Sequence, residues 1–244
     1  MAQTQEQAID EMVAALAGEQ MPDWSVQQRL AVGCRILAAH GHGSGLAGQF
    51  TARGDEPDTM WTLPYGLGFE QVTASDYLLV DGDLKVIKGK GTPNMANRFH
   101  IHVYRARPDV QSIVHTHPPY SSALSMIGEP LRVAHMDTMA FFDDVAHLPH
   151  WPGVPFGDEE GEIMLAHHGQ LCAGNTIESA CVMGIFFEHA ARIQLAAMAA
   201  GEIKEVDPEL GKLAHAWRHK PEAMNVTFRY FARAILEQQA HPLS

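Results

Sequence analysis

Positive charge is scarce in this chain. Its 244 residues hold 17 Lys and Arg against 29 Asp and Glu, for a net charge of −12 with His neutral. Nucleic acids are bound through basic patches, so this balance argues against a nucleic-acid partner. No apolar run reaches the about 18 residues a membrane span needs, so no membrane partner is expected. The opening MAQTQEQAIDEMVAALAGEQ has acidic residues and no Lys or Arg, unlike a secretory or transit signal. Cysteine is equally sparse. Cys34, Cys172 and Cys181 are an odd number with no CxxC, which predicts a reducing, cytoplasmic setting without a disulfide framework. Cys172 and Cys181 lie in apolar contexts and read as small core hydrophobes; Cys34 reads as helix packing. Repeats, low-complexity tracts and long linkers are all missing. At roughly 150 residues per domain, the length fits one large domain, residues 25–244, behind an arm at 1–24.

Histidine, by contrast, is abundant, with 15 residues. Several are paired: His40/His42, His100/His102, His115/His117 and His167/His168. Imidazole is the commonest metal ligand, so these pairs are where chemistry is sought first.

The chain reads as short strands interleaved with helices, an α/β three-layer domain. Residues 1–22 form an amphipathic arm. Ser25 with Gln28 is a capping box opening a helix with Leu30, Val32, Ile36 and Leu37 inward, stopped at Gly41. QFTAR is a strand, and 54–66 read as loop. LLVDGDLKVI is a hairpin around Asp81-Gly82-Asp83. ANRFHIHVYRARP predicts a helix closed by Pro108, with Phe99, Ile101 and Val103 inward. VQSIVHTH is a strand stopped by Pro118-Pro119, and YSSALSMIG a short helix. LRVAHM reads as a further strand, 143–162 as an acidic loop, and MLAHHGQLCAG as a strand pair around His168-Gly169. Asn175 with Glu178 forms a second capping box, starting the longest helix to about Ala200. One more helix covers about 221–240.

Side chains two apart on a strand share a face, so His115 and His117 project together from a strand end. The alternative is two solvated histidines on a surface strand. His167 and His168 face opposite ways, so at most one joins the same site. Three neutral imidazoles with an open position make a catalytic-metal arrangement. The glycine-dense GHGSGLAG loop could cradle an anion on backbone N–H groups, or be a plain turn. It is neither a Walker A motif nor a dinucleotide fingerprint. Asp158-Glu159-Glu160 reads as a helix's first turn. His100 or His102 could support a ligand from behind; His147 and His150 read as loop residues. Trp61, Tyr65, Phe69 and Trp151 fit either an aromatic substrate or core packing.

Four ordered segments carry a resemblance: GSGLAGQFTAR, GFEQVTASDYLLVD, RARPDVQSIVHTHPPYSSALS and HHGQLCAGNTIESA. Over about residues 25–200 the chain resembles the class II aldolase/adducin family. The resemblance implies a three-layer α/β/α sandwich around a mostly antiparallel sheet, assembled as a homotetramer. It implies one divalent ion per chain (Zn, Mn, Mg or Co) on His115, His117 and His168, polarising a carbonyl during carbon–carbon cleavage. His167 falls where the family often has Asn. The sugar-phosphate apparatus is replaced. Ala96 stands where the aldolases have an acid/base Glu, Asn94-Met95 where a Ser pair grips phosphate, Gln49 where the loop has Asn, and Met136 where a Tyr crosses the interface. DEEGEI runs almost directly into MLAHHG, about one helix short between Ile163 and Met164.

These departures predict a metal-dependent lyase, a decarboxylase or aldolase, acting on an oxygenated carboxylic acid rather than a sugar phosphate. Gly48, Gln49, Asn94 and Arg98 would grip a carboxylate; Arg98 could equally be a surface helix charge. His135, Tyr120 and a metal-bound water are candidate proton donors. One alternative is a non-haem Fe oxygenase, which some relatives from aminocoumarin antibiotic pathways resemble. Another is a non-catalytic adducin-like module.

Overall fold

The computed structural model describes residues 4–16, 18, 21–147, 168–238 and 241–244. Its strands are β1 Gln49–Arg53, β2 Thr59–Thr62, β3 Leu78–Asp81, β4 Val86–Lys88, β5 Ser112–Thr116 and β6 Gln170–Gly174. They form one sheet in the order β4-β3-β2-β1-β5-β6, with every neighbouring pair antiparallel. The helices are α1 Gln5–Leu16, α2 Val26–Leu37, α3 Arg98–Ala106, α4 Pro119–Met126, α5 Ile177–Ala200, α6 Pro208–Arg218 and α7 Pro221–Gln238. This is the α/β sandwich around an antiparallel sheet that the family resemblance implies.

Alternation along the strands sorts their side chains between two cores. Phe50 and Ala52 of β1, Val114 of β5 and Cys172 of β6 join the α2 and α5 residues in the larger core. Met60, Leu78, Val80 and Ile113 point the other way and pack against Ile101 and Tyr104 of α3. Each fully buried Leu or Ile contributes about 1.5–3 kcal/mol by leaving water. Cys34, Cys172 and Cys181 are free and buried, as their contexts predict.

α2 opens on the expected capping box. The Gln28 N–H donates to Ser25 Oγ at 3.2 Å, and the Ser25 N–H to Gln28 Oε1 at 3.0 Å. Leu30 to Leu37 are all buried, so α2 is a core helix rather than a surface one. It widens into a short π turn, Ala38–His42, which ends the helix with Gly41 at φ 86°. α1 has no buried residue and rests on α7. Among the described residues no helix is long and apolar enough to cross a membrane.

Several elements differ from expectation. β2 lies inside the segment read as loop; it is only four residues long, too short to show a clear period. LRVAHM is irregular rather than a strand. The Arg132 N–H that a ladder would use donates instead to the Gln194 side chain at 2.7 Å, and His135 then caps a 3-10 turn, Met136–Phe141. Of the strand pair around His168 only β6 is described. Its other half, with His150, Trp151, His167, Asp158-Glu159-Glu160 and the Ile163–Met164 junction, lies outside the described residues. The α5 cap is Thr176, not Asn175: the Ser179 N–H donates to Thr176 Oγ1 at 3.0 Å, while Glu178 is buried facing Arg29. α6 lies in a stretch for which the sequence predicts no helix, although Asp207 caps it and Pro208 opens it. In α3, Tyr104 and His100 are fully buried beside Phe99 and Ile101, and Val103 only partly so.

Candidate metal centre

β5 is flanked on both sides, by β1 and β6. His115 therefore sits directly between Gln49 and Leu171, its backbone fixed by two ladders. Its side chain points to the α3 face, where the Phe99 ring meets it edge-on with centroids 5.1 Å apart. Thr116 faces the opposite layer and bonds His42 Nδ1 at 2.8 Å. His117 follows at the strand end, with its N–H donating to Ser44 Oγ at 3.2 Å. That bond ties the glycine-dense loop to the strand. His168 comes up from the approach to β6. Its ring centroid is 5.1 Å from that of His115 and 4.5 Å from that of His117.

The ligand atoms of His115, His117 and His168 all lie within 4.8 Å of one another. The His115 Nδ1–H donates to the Gln170 carbonyl at 2.9 Å, which leaves the Nε2 lone pair facing the other two rings. His117 Nε2 lies 2.9 Å from it. Burial lowers the pKa of all three, His117 to about 4, and in His115 the neighbouring imidazoles add to the effect. All three are neutral at neutral pH, the form that ligates metal. Among the described residues the cluster contains no carboxylate. Three convergent neutral nitrogens, one held in its tautomer by a backbone carbonyl, fit a divalent transition ion with an open position.

Gly169 lets His168 approach. A Cβ there would lie 2.5 Å from both the Thr116 carbonyl and the His117 ring, so the strand end and the HHG turn can meet only at glycine.

The other site candidates have varied surroundings. Gln49 is buried opposite His115; its Nε2 donates to the Ala47 carbonyl at 2.8 Å, and its Oε1 has no partner. Gly48 packs against the Phe69 ring. The Asn94 oxygen accepts the Ala96 N–H at 3.0 Å, capping the turn into α3, and its nitrogen reaches the Leu46 carbonyl at 3.5 Å. Arg98 is half-buried at the first position of α3. The exposed Tyr120 stands in the first turn of α4, with the Arg192 guanidinium 5.5 Å from its ring centre. His135 is not part of the three-histidine cluster; it is half-exposed and faces Asp137 at 3.7 Å, which also meets His189 at 3.3 Å. His100 is fully buried, its Nδ1 bonded to Thr51 Oγ1 at 2.7 Å. His102 and His147 are half-buried. Phe69 and Trp61 belong to the core, and Tyr65 is exposed.

Sequence reasoning missed Glu188. From α5 its carboxylate accepts the Tyr120 and Ser121 N–H groups, each at 2.8 Å. It thereby neutralises the N-terminus of α4, the helix that leaves the metal strand. Its partners are 67 and 68 residues away, and no local pattern signals such a bond.

The model of the Class II Aldolase and Adducin N-terminal domain family matches residues 28–195. The Decarboxylase NovR of Streptomyces niveus is 32% identical over 201 residues, covering 76% of this chain and 74% of the relative. The 4-hydroxy-3-prenylphenylpyruvate oxygenase/4-hydroxy-3-prenylbenzoate synthase of Streptomyces roseochromogenus subsp. oscitans is 31% identical, covering 76% and 72%. The L-fuculose 1-phosphate aldolase structure from Glaciozyma antarctica PI12 superposes with a TM-score of 0.83 at 29% identity, over 96% of this chain and 99% of that one. Aldolase and decarboxylase relatives support a lyase-type enzyme. On the family model that matches residues 28–195 and on these relatives, the chain belongs to the class II aldolase and adducin family.

Proposed function

We propose that this protein is a divalent-metal-dependent lyase that cleaves a carbon–carbon bond, as a decarboxylase or aldolase, in an oxygenated carboxylic acid. The reading rests on one observation: three neutral imidazoles converge while position 96 holds Ala and the Asn94 oxygen is already used as a cap. His115, His117 and His168 would hold a divalent ion, which would supply Lewis-acid chemistry toward a substrate oxygen. The all-nitrogen donor set suits Zn, Co, Mn or Fe better than Mg, which prefers oxygen.

The rest is done by this chain's own groups. Gln170 orients His115 through its carbonyl, and Ser44 holds the His117 backbone. The Gln49 amide, with one end unpartnered, turns a substrate hydroxyl beside His115. Arg98 and the loop ending in Gly48 receive the substrate carboxylate, with Asn94 fixing the loop. Without a Glu at position 96, no carboxylate there shuttles protons; Tyr120, or His135 from a neighbouring copy, donates one instead. Exposed Met126, Ile127 and Tyr230 support a homo-oligomer, with the tetramer as the proposed form.

The test is release of CO2 or an aldehyde from aryl-substituted 2-oxo and 2-hydroxy acids, with Zn-, Mn-, Co- or Fe-loaded protein, under argon and in air. Turnover under argon, abolished by His115→Ala, is expected. Turnover requiring both Fe and O2 would replace it with the second reading, a non-haem iron oxygenase, which the prenylphenylpyruvate oxygenase relative favours. No bound metal and no turnover would leave a non-catalytic module.

A further inference from the structure

A second cluster of ligand-type side chains lies on α6, apart from the β5 histidines. His215 and His219 are one helical turn apart, so both project from one face. Their ring centroids are 4.2 Å apart and their planes tilt by 31°. Asp144, just beyond the 3-10 turn, faces them: its Oδ2 is 3.6 Å from His215 Nε2 and 4.0 Å from His219 Nε2. His219 Nε2 is also 2.8 Å from the Ala140 carbonyl. His215 Nε2 is buried and has no hydrogen-bond partner. The close approach of α6 to this segment depends on Gly211, because a Cβ there would strike the Phe142 ring.

We infer that His215, His219, Asp144 and the Ala140 carbonyl form a second divalent transition-metal site, which clamps α6 to residues 136–144. Ligands about 2.1 Å from a tetrahedral ion stand about 3.4 Å from one another. The separations of 2.8, 3.6 and 4.0 Å straddle that value. A small inward move of Asp144, whose side chain is 61% exposed, closes the two longer separations, and a slight retreat of the His219 ring from the Ala140 carbonyl opens the short one. Two imidazoles and a carboxylate suit Zn, Co or Ni over Ca or Mg. Before binding, the His219 Nε2–H donates to Ala140. On binding, that proton relocates through water to Nδ1 of the same ring, and the carbonyl turns from acceptor to ligand, so the neutral imidazole gains and loses no proton overall. The surrounding charge favours a cation. Asp143 and Asp144 face the histidines, while Arg107 and Lys212 are each paired with a carboxylate of their own, Asp109 and Glu209.

This inference is independent of the lyase reading, since the site shares no ligand with the β5 centre. Zinc chloride titrated into the chelator-stripped, full-length chain, followed by calorimetry and elemental analysis, tests it. Two ions per chain are expected for the parent and one for His215→Gln/His219→Gln. Asp144→Asn, at an exposed position, guards against misfolding of the double variant; it should weaken the second site at least tenfold. The zinc-induced rise in Tm belonging to that site should vanish with it. An equal uptake by the parent and by His215→Gln/His219→Gln would overturn the inference. So would loss of the second ion in His189→Gln instead, which would place it at the His135–Asp137–His189 surface.

Discussion

The two histidine clusters hold similar ligands in opposite physical settings. The β5 centre is built on strands. Its backbone is pinned by ladders on both sides, its first histidine is sealed from solvent, and a carbonyl sets that ring's tautomer. The α6 cluster is built on the last turn of one helix with an exposed aspartate opposite. Burial has already imposed neutrality on the first set, at a cost in stability. The second set stays near solvent, so its geometry is looser and its assembly depends more on the ion. Strand placement favours precision for chemistry, and helix placement a reversible clamp.

Substitutions can break this contrast. The largest effect is expected from His115→Ala, which should lower ion affinity at the β5 centre at least a hundredfold and abolish turnover, with far-UV circular dichroism unchanged; metal analysis after dialysis checks it. Gly169→Ala should come next. Its Cβ meets a backbone carbonyl that cannot swing aside, so a loss of about 2–4 kcal/mol and a weakened β5 ion are expected from urea unfolding.

Acid should expose the strain of burying imidazoles. Burial lowers His42 and His117 to about 4 and His100 to about 3, against 6.5 for the free side chain. The unfolded chain therefore takes up protons first as pH falls. Metal-free protein should keep full stability above about pH 6.5 and lose several kcal/mol on the way to about pH 4. The urea midpoint measured between those limits checks this, and His100→Phe should flatten the slope. Glu188→Gln should cost less, about 1–2 kcal/mol, by removing the charge at the α4 N-terminus while leaving a hydrogen-bonding side chain. The smallest effect is Asp144→Asn without added metal. Its contacts with the two histidines are half-exposed, so a change under about 0.5 kcal/mol is expected by thermal melt. A large change there would show that Asp144 is structural, and the contrast between the clusters would fail.

What was legible in the sequence follows from how local each signal is. A strand period of two is enough to put His115 and His117 on one face, and the capping box at Ser25 is complete within four residues. The sheet's alternation is likewise written in QFTAR and SIVHT. α6 is hard to read locally because glycine is a poor helix former in isolation, and only Phe142, far along the chain, shows that Gly211 is a contact. Without that helix, the spacing of His215 and His219 carries no meaning. The cap of α5 was displaced by one residue because Asn175 and Thr176 are both good caps, and the choice depends on Ser179. The surroundings of Gln49 and Glu188 depend on pairing between distant segments, which no local window contains.

The pairing of β5 on both of its edges has an evolutionary consequence. The candidate ligands His115 and His117 lie on, or directly after, a strand paired on both edges, whereas residues 43–48 and 91–97 are connections, tied to His117 through Ser44 and to each other through Asn94. Selection can rewrite those two connections without disturbing the histidines. A lineage built this way would inherit one electrophile and trade substrates around it, and its members would diverge fastest where they touch the molecule they transform.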